Sequence, residues 1–224
     1  MDFRLSSEQQ ALADSVASFC ARDYDFEHRR LSLANEGGFS PDNWQLFAEL
    51  GWLGAGLGED AGGYGGGAVE NAIILEAFGR ALVVEPFLAC AVLALQTLAA
   101  LPKCDVRDQL IADIVSGEKL AVLAHNEFEA RGDVELVGMT AFQDNGQWRL
   151  NGTKQLVLGA PAADWLIVSA RAGPDVGLFL WRRPQQALNW CPTGHSTTCG
   201  LQISILQKLR FMPFSRSPVQ RCPP

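Results

Sequence analysis

The hydrophobic pattern of the chain changes period once, near Glu118. Before that point apolar residues recur every three to four positions, the spacing of one helix face. After it they come in short runs broken by turn residues, the spacing of strands. A chain that places its helices first and its strands second is not a doubly wound sheet, in which the two alternate. The pattern therefore predicts an α+β fold, with an N-terminal all-α domain over residues 1–117 and an antiparallel β domain over 118–181.

The helical half carries its own punctuation. Ser6 and Ser7 precede Gln9 and Gln10, a capping-box arrangement, and Leu12, Val16, Phe19 and Cys20 follow at helical spacing. This predicts an amphipathic helix over 7–22. Ser40-Pro41 is a cap followed by proline at the first helical position, with Trp44, Phe47 and Leu50 as the apolar stripe and Gly51 as the stop. A glycine-rich stretch over 58–67 reads as a flexible inter-helix loop. A helix follows with Val69, Ile73, Ile74, Ala77 and Phe78 on its buried side. Pro86 breaks the chain before a buried helix over Phe87–Leu101, and Leu110, Ile111, Ile114 and Val115 mark one more, ending near Gly117.

In the second half, Leu120–Ala124 is a short apolar run. Asp144-Asn145-Gly146 is a hairpin signal between Val134–Phe142 and Trp148–Leu150. Leu156–Leu158, Trp165–Ser169 and Gly177–Leu180 are strand-like. Beyond Trp181 no period survives, and Leu201–Leu209 is compatible with strand or helix.

Charge breaks near the same place. The 224 residues carry a net −7, but residues 1–175 hold 12 basic against all 25 acidic residues, a net of −13, whereas 176–224 hold six basic residues and no acid. At ordinary charge usage an acid-free run of that length arises roughly once in a thousand. Six of the 11 prolines and three of the six cysteines also fall there. Overall acidity argues against a nucleic-acid partner, and six scattered bases among prolines form no basic stripe. The N-terminus has no signal-peptide pattern and the longest apolar stretch, Phe87–Leu95, is too short to span a bilayer. These features predict a soluble, cytoplasmic chain with no membrane association.

Few short motifs carry chemistry. Cys191, His195 and Cys199 are three potential ligands where a structural zinc needs four, so no metal is expected. Gly63–Ala68 formally fits a dinucleotide fingerprint but follows a helix rather than a strand, which argues against a Rossmann site. His125, Asn126 and Glu127 sit just past the first strand-like run, where polar groups can face a ligand, although a His beside a Glu is more often a structural hydrogen-bonding pair.

Longer segments carry a resemblance. Leu50-Gly51-Trp52-Leu53-Gly54 through Gly62-Gly63-Tyr64-Gly65, then Glu76-Ala77-Phe78-Gly79-Arg80-Ala81-Leu82, Ala124-His125-Asn126-Glu127, Leu150-Asn151-Gly152-Thr153-Lys154 and Ala163-Asp164-Trp165-Leu166-Ile167-Val168-Ser169-Ala170-Arg171 occur in order over about four-fifths of the chain. Together they resemble the N-terminal helical and middle β-barrel domains of the acyl-CoA dehydrogenase family, especially the small subunits of pimeloyl-CoA dehydrogenases. The resemblance implies an oxidoreductase of lipid metabolism and fatty acid β-oxidation. Such a flavoprotein removes the α-proton of an acyl-CoA substrate while the β-hydrogen leaves as hydride to FAD. It also implies an electron-transfer acceptor and a homo- or hetero-oligomer with another acyl-CoA dehydrogenase subunit.

Site residues follow by alignment. The family's strand-end segment, typically Thr-Glu-Pro-Gly-Ala-Gly-Ser-Asp, aligns without a gap to Asn126–Asp133, and its Lys-x-Trp-Ile-Thr segment to Lys154–Leu158. The resemblance thus implies cofactor binding at His125, Asn126, Glu127, Leu156, Val157 and Leu158, and substrate binding at Gly132 and Asp133. Asn126 stands where the family has threonine, Gly132 where it has serine, Leu156 where it has the stacking tryptophan and Leu158 where it has threonine. No residue aligns with the family's catalytic base, which lies in a C-terminal four-helix domain. Likeness stops after Gly177–Leu180. Residues 182–224 are therefore expected to be an atypical, out-of-frame tail on a truncated, catalytically incomplete chain. The alternative reading is a non-catalytic partner subunit of a heteromeric acyl-CoA dehydrogenase.

Overall fold

In a computed structural model of the chain, residues 4–145, 147–182 and 212–213 are described. They form two compact units, one comprising residues up to 123 together with 158–165, the other 124–157 together with the residues from 166 onward.

The first unit is helical. α1 (Ser7–Arg22) starts as its sequence predicts: Ser6 Oγ accepts the Gln9 N–H at 3.2 Å, and Gln9 Oε1 accepts the Ser6 N–H at 3.0 Å. α3 (Pro41–Glu49) is capped by Ser40 and stops at Gly51, whose φ of 74° is the left-handed geometry that glycine adopts at little cost. Between them lies a helix that the pattern did not announce, α2 (Phe26–Ala34). It has an Asp25 cap but buries only Ser32, so it has no apolar stripe to read. α4 (Ala68–Ala81) follows the glycine-rich stretch. The expected single helix after Pro86 is a π-helical segment over Leu88–Ala94 running into α5 (Leu95–Ala99). α6 (Asp105–Val115) completes the set.

The core of this unit is aromatic. Phe47 is fully buried, with its ring centroid 4.9 Å from Phe78, 5.2 Å from Trp52 and 5.3 Å edge-on from Phe19. The glycine-rich stretch is not the flexible loop its composition suggests. Gly63 N donates to Gly58 O and Gly65 N to Leu57 O, both at 3.0 Å, and a Cβ on Gly63 would collide with the backbone of Leu57. The segment 158–165 is tied in by Leu120, whose carbonyl accepts the Asp164 and Trp165 N–H groups at 2.8 and 3.0 Å while its own N–H donates to Asp164 Oδ2 at 2.9 Å.

β1 (Ala121–Ala124) carries the chain into the second unit, where β2 (Thr140–Asp144), β3 (Gln147–Asn151), β4 (Trp165–Ala172), β5 (Asp175–Arg182) and β6 (Met212–Pro213) line up in the order β3-β2-β4-β5-β6. β2 and β3 form the expected hairpin, from Thr140 opposite Asn151 to Asp144 opposite Gln147, with Asn145 at φ 51° in the turn. The sheet is mixed, not wholly antiparallel as expected. β4 follows β3 in sequence but pairs with β2, in parallel at Thr140 opposite Arg171. The expectation failed because a pattern of periods reports strands, not which neighbour a strand chooses.

Two other strand readings shorten. Of Val134–Phe142 only the last three residues lie in a strand, β2, which runs on to Asp144, and Leu156–Leu158 is none, with Leu156 at φ 50°. Cys191, His195, Cys199 and the undecided Leu201–Leu209 run lie outside the described residues.

Candidate cofactor-binding site

The second unit holds a buried ammonium. Lys154, with none of its side chain exposed, donates to Glu127 Oε1 at 2.6 Å, Ser169 Oγ at 2.8 Å and the His125 carbonyl at 3.0 Å. Three acceptors satisfy all three of its protons. The Glu127 side chain is 8% exposed, and its carboxylate also accepts the N–H of Gly138 at 2.7 Å and of Met139 at 3.0 Å. The Met139 carbonyl in turn accepts the Arg171 N–H at 2.8 Å, at the start of the β2–β4 pairing.

A directed chain of hydrogen bonds leads away from the ammonium. His125 Nε2 lies 3.1 Å from the Val134 carbonyl, which only accepts, so Nε2 carries the proton. Nδ1, 2.9 Å from Ser169 Oγ, then accepts the serine hydroxyl. Burial, aided by the Lys154 charge, holds the His125 imidazole below its ordinary pKa and hence neutral. Burial also draws the Lys154 ammonium down, opposed by the hydrogen bond and charge of Glu127. For Glu127, burial alone would raise the carboxyl, but the Lys154 hydrogen bond and the Met139 and Gly138 N–H groups outweigh it and hold it low.

The network clamps two stretches of backbone together. Lys154 bonds residues 125 and 127, and beside it Gln155 N donates to Asn126 O at 2.8 Å. The two segments aligned to the family's flavin-facing motifs therefore meet. Of the candidates, His125 and Glu127 spend their side chains inward and have only backbone to offer a ligand. Asn126 is exposed, Val157 is buried and Leu156 is 52% exposed. Phe128, beyond Glu127, is 68% exposed. Gly132 has φ 90° and open space where a side chain would sit, and Asp133 Oδ1 accepts the Glu135 N–H at 2.9 Å. Leu158 belongs to the first unit, where it lines a small cavity.

Exposed apolar groups beside an exposed amide suit a flat, largely apolar ring edged with hydrogen-bonding atoms, as an isoalloxazine is. Lys154 and Ser169 are the members that spacing did not flag as site residues. Both lie in segments that carry the family resemblance, but only the fold shows that they share one oxygen-lined interior.

Comparison with known proteins gives the family. The acyl-CoA dehydrogenase N-terminal domain matches residues 6–118. Benzylmalonyl-CoA dehydrogenase of Aromatoleum aromaticum is 28% identical over 183 residues, 81% of this chain and 48% of that protein. The ChsE4-ChsE5 complex of Mycobacterium tuberculosis superimposes with a TM-score of 0.76 at 25% identity, over 95% of this chain and 58% of that one. A structure of PigA with FAD and proline superimposes with a TM-score of 0.69 at 26% identity, over 85% and 52%. The chain spans about half the length of the curated relatives it matches. With the domain match covering half of the chain, the chain belongs to the acyl-CoA dehydrogenase family.

Proposed function

We propose that this chain binds FAD and takes part in the α,β-dehydrogenation of an acyl-CoA thioester, within cytoplasmic fatty acid β-oxidation or related lipid metabolism. The observation that carries the reading is the Lys154 clamp, which holds Asn126–Phe128 and Gln155–Val157 side by side. The exposed Asn126 amide and the neighbouring backbone would orient the ring, while Phe128 and Leu156 would cover it from water. Gly132 leaves room for the substrate's pantetheine arm, and Asp133 is held in place by Glu135. FAD, when bound, supplies the hydride acceptor for the substrate's β-hydrogen. The electron acceptor that reoxidises it would be a separate protein.

A second reading is that the chain serves as the partner subunit of a heteromer, with the base that removes the α-proton carried by another acyl-CoA dehydrogenase subunit. Its support is the two-component complex among the related structures. Titrating FAD into the full chain, alone and with a candidate second subunit, while following flavin fluorescence, tests both readings. Saturable binding by the chain alone supports the first, and binding only in the mixture supports the second. Leu156→Asp, a change at an exposed position, is expected to weaken binding at least tenfold in either case. Absence of binding under both conditions refutes flavin binding by this chain.

A further inference from the structure

His125 is held at both its backbone and its ring, and the ring can take up a proton. Its carbonyl accepts an N–H of the Lys154 ammonium at 3.0 Å. Its Nδ1 accepts the Ser169 hydroxyl at 2.9 Å, and its Nε2 donates to the Val134 carbonyl at 3.1 Å. One residue thus joins β4, the Lys154 segment and the stretch that begins at Val134, all within the second unit. Asn126 follows it directly, with its own carbonyl bound to Gln155 N at 2.8 Å. The ring is half-buried between Val134, 71% exposed, and Ser169, 1% exposed. Solvent protons therefore have access from the Val134 side, while the Ser169 side is closed.

The closed side is arranged for a neutral ring. Lys154 donates to Ser169 Oγ at 2.8 Å, and the one hydroxyl proton goes to Nδ1. An imidazolium donates from Nδ1 as well as from Nε2. Oγ would then face two donors, and its own proton would have to turn away from Nδ1, with no other described group hydrogen-bonded to Oγ to receive it. Two positive charges would also be bridged by a single oxygen, in an interior that screens them weakly. Burial is the largest influence holding the imidazole neutral; of the charged groups that act on the ring, Lys154 adds to it and Glu127 opposes it. A proton on the ring is relieved only when the ring leaves Ser169 or the ammonium draws back from it. The first movement also gives up the Val134 carbonyl, and the second loosens the hold on residues 125 and 127.

Resting on the proposed seating of FAD against residues 126–128 and 155–157, we infer that His125 is a positioning residue for the flavin. It holds Asn126 and the neighbouring backbone in the binding geometry only while its ring is neutral, so a proton on the imidazole and FAD on the chain oppose one another. Linkage makes the opposition reciprocal: whatever affinity for FAD the proton removes, bound FAD removes from the affinity for the proton.

The His125 ring is followed by NMR through a pH titration of the full chain, free and saturated with FAD. Its midpoint is expected to fall by at least about one pH unit on saturation. FAD affinity, read by flavin fluorescence one unit below the free-chain midpoint, should be about tenfold weaker than at neutrality. His125→Asn keeps an acceptor for the Ser169 hydroxyl but takes no proton, and should make the affinity independent of pH over that range. The comparison of the two midpoints needs no substitution, so it decides the matter even where that variant fails to fold. An unchanged midpoint overturns the inference while leaving flavin binding standing, as does an affinity that still falls with acid in His125→Asn. Absence of saturable FAD binding at neutral pH overturns it together with the reading that the chain itself binds FAD.

Discussion

Lys154 and Glu127 meet at 2.6 Å inside the sheet unit, with the lysine side chain wholly buried and the glutamate nearly so. Their pairing makes two distant pieces of sequence one structural object, because the same ammonium holds the His125 carbonyl and the Ser169 hydroxyl.

Removing the ammonium should be costly. Lys154→Met leaves a buried carboxylate without its counter-charge, and loss of one partner of such a pair typically costs about 3–5 kcal/mol. Denaturant midpoints at neutral pH measure it. Combining Lys154→Met with Glu127→Gln should cost less than the sum of the two single changes, since the uncompensated charge is then gone. Strict additivity would show that the pair is not coupled.

Acid should loosen the same unit in two stages. The folded-state pKa of His125 lies below its ordinary 6.5, so its contribution is fully present above 6.5 and is lost as pH falls through the depressed value. Glu127 is depressed from 4.5 and behaves likewise in a more acidic window. Unfolding midpoints followed downward from neutrality should therefore decline first below 6.5. His125→Asn should flatten that first stage only, and Lys154→Met should move the imidazole's NMR titration upward by removing a nearby positive charge.

The glycine-rich stretch offers a matched pair. Gly63→Ala forces a Cβ into the Leu57 backbone, whereas Gly67→Ala meets nothing within 4 Å. The first should destabilise the chain by at least about 2 kcal/mol, in the upper range for overpacking, and the second by less than about 1 kcal/mol. Thermal melts of the two variants side by side provide the comparison.

Phe47 is the hub of the aromatic core, fully buried against Phe19, Trp44, Trp52 and Phe78. Phe47→Ala should cost about 3–5 kcal/mol, the range for deleting a buried ring. Phe26→Ala, at a residue 69% exposed, should stay within about 0.5 kcal/mol. Urea denaturation of both distinguishes a core ring from a surface one.

What the sequence made legible was whatever is encoded locally. The Ser6 and Ser40 caps, the Gly51 stop and the Asp144-Asn145 turn depend on neighbours within a few positions, and all stand where their residues place them. α2 escaped notice because a helix burying only Ser32 leaves no periodic trace. The parallel pairing of Thr140 with Arg171 escaped because it is a choice between strands. The site divided along the same line. Alignment pointed to Asn126–Asp133 and Lys154–Leu158, but the inward turn of Glu127 and His125 toward Lys154 and Ser169 is a long-range arrangement that no local spacing reports.

The parallel pairing also sets an order of events during synthesis. The β2–β3 hairpin closes within a dozen residues, at Asn151, whereas the strand that flanks β2 on its other side ends at Ala172, about twenty residues later. On a ribosome, the hairpin is thus complete while β2 still waits for β4. During that interval the outer edge of β2 offers unpaired backbone groups beside the half-exposed ring of Phe142. This edge is where a nascent chain would first pair with the wrong neighbour.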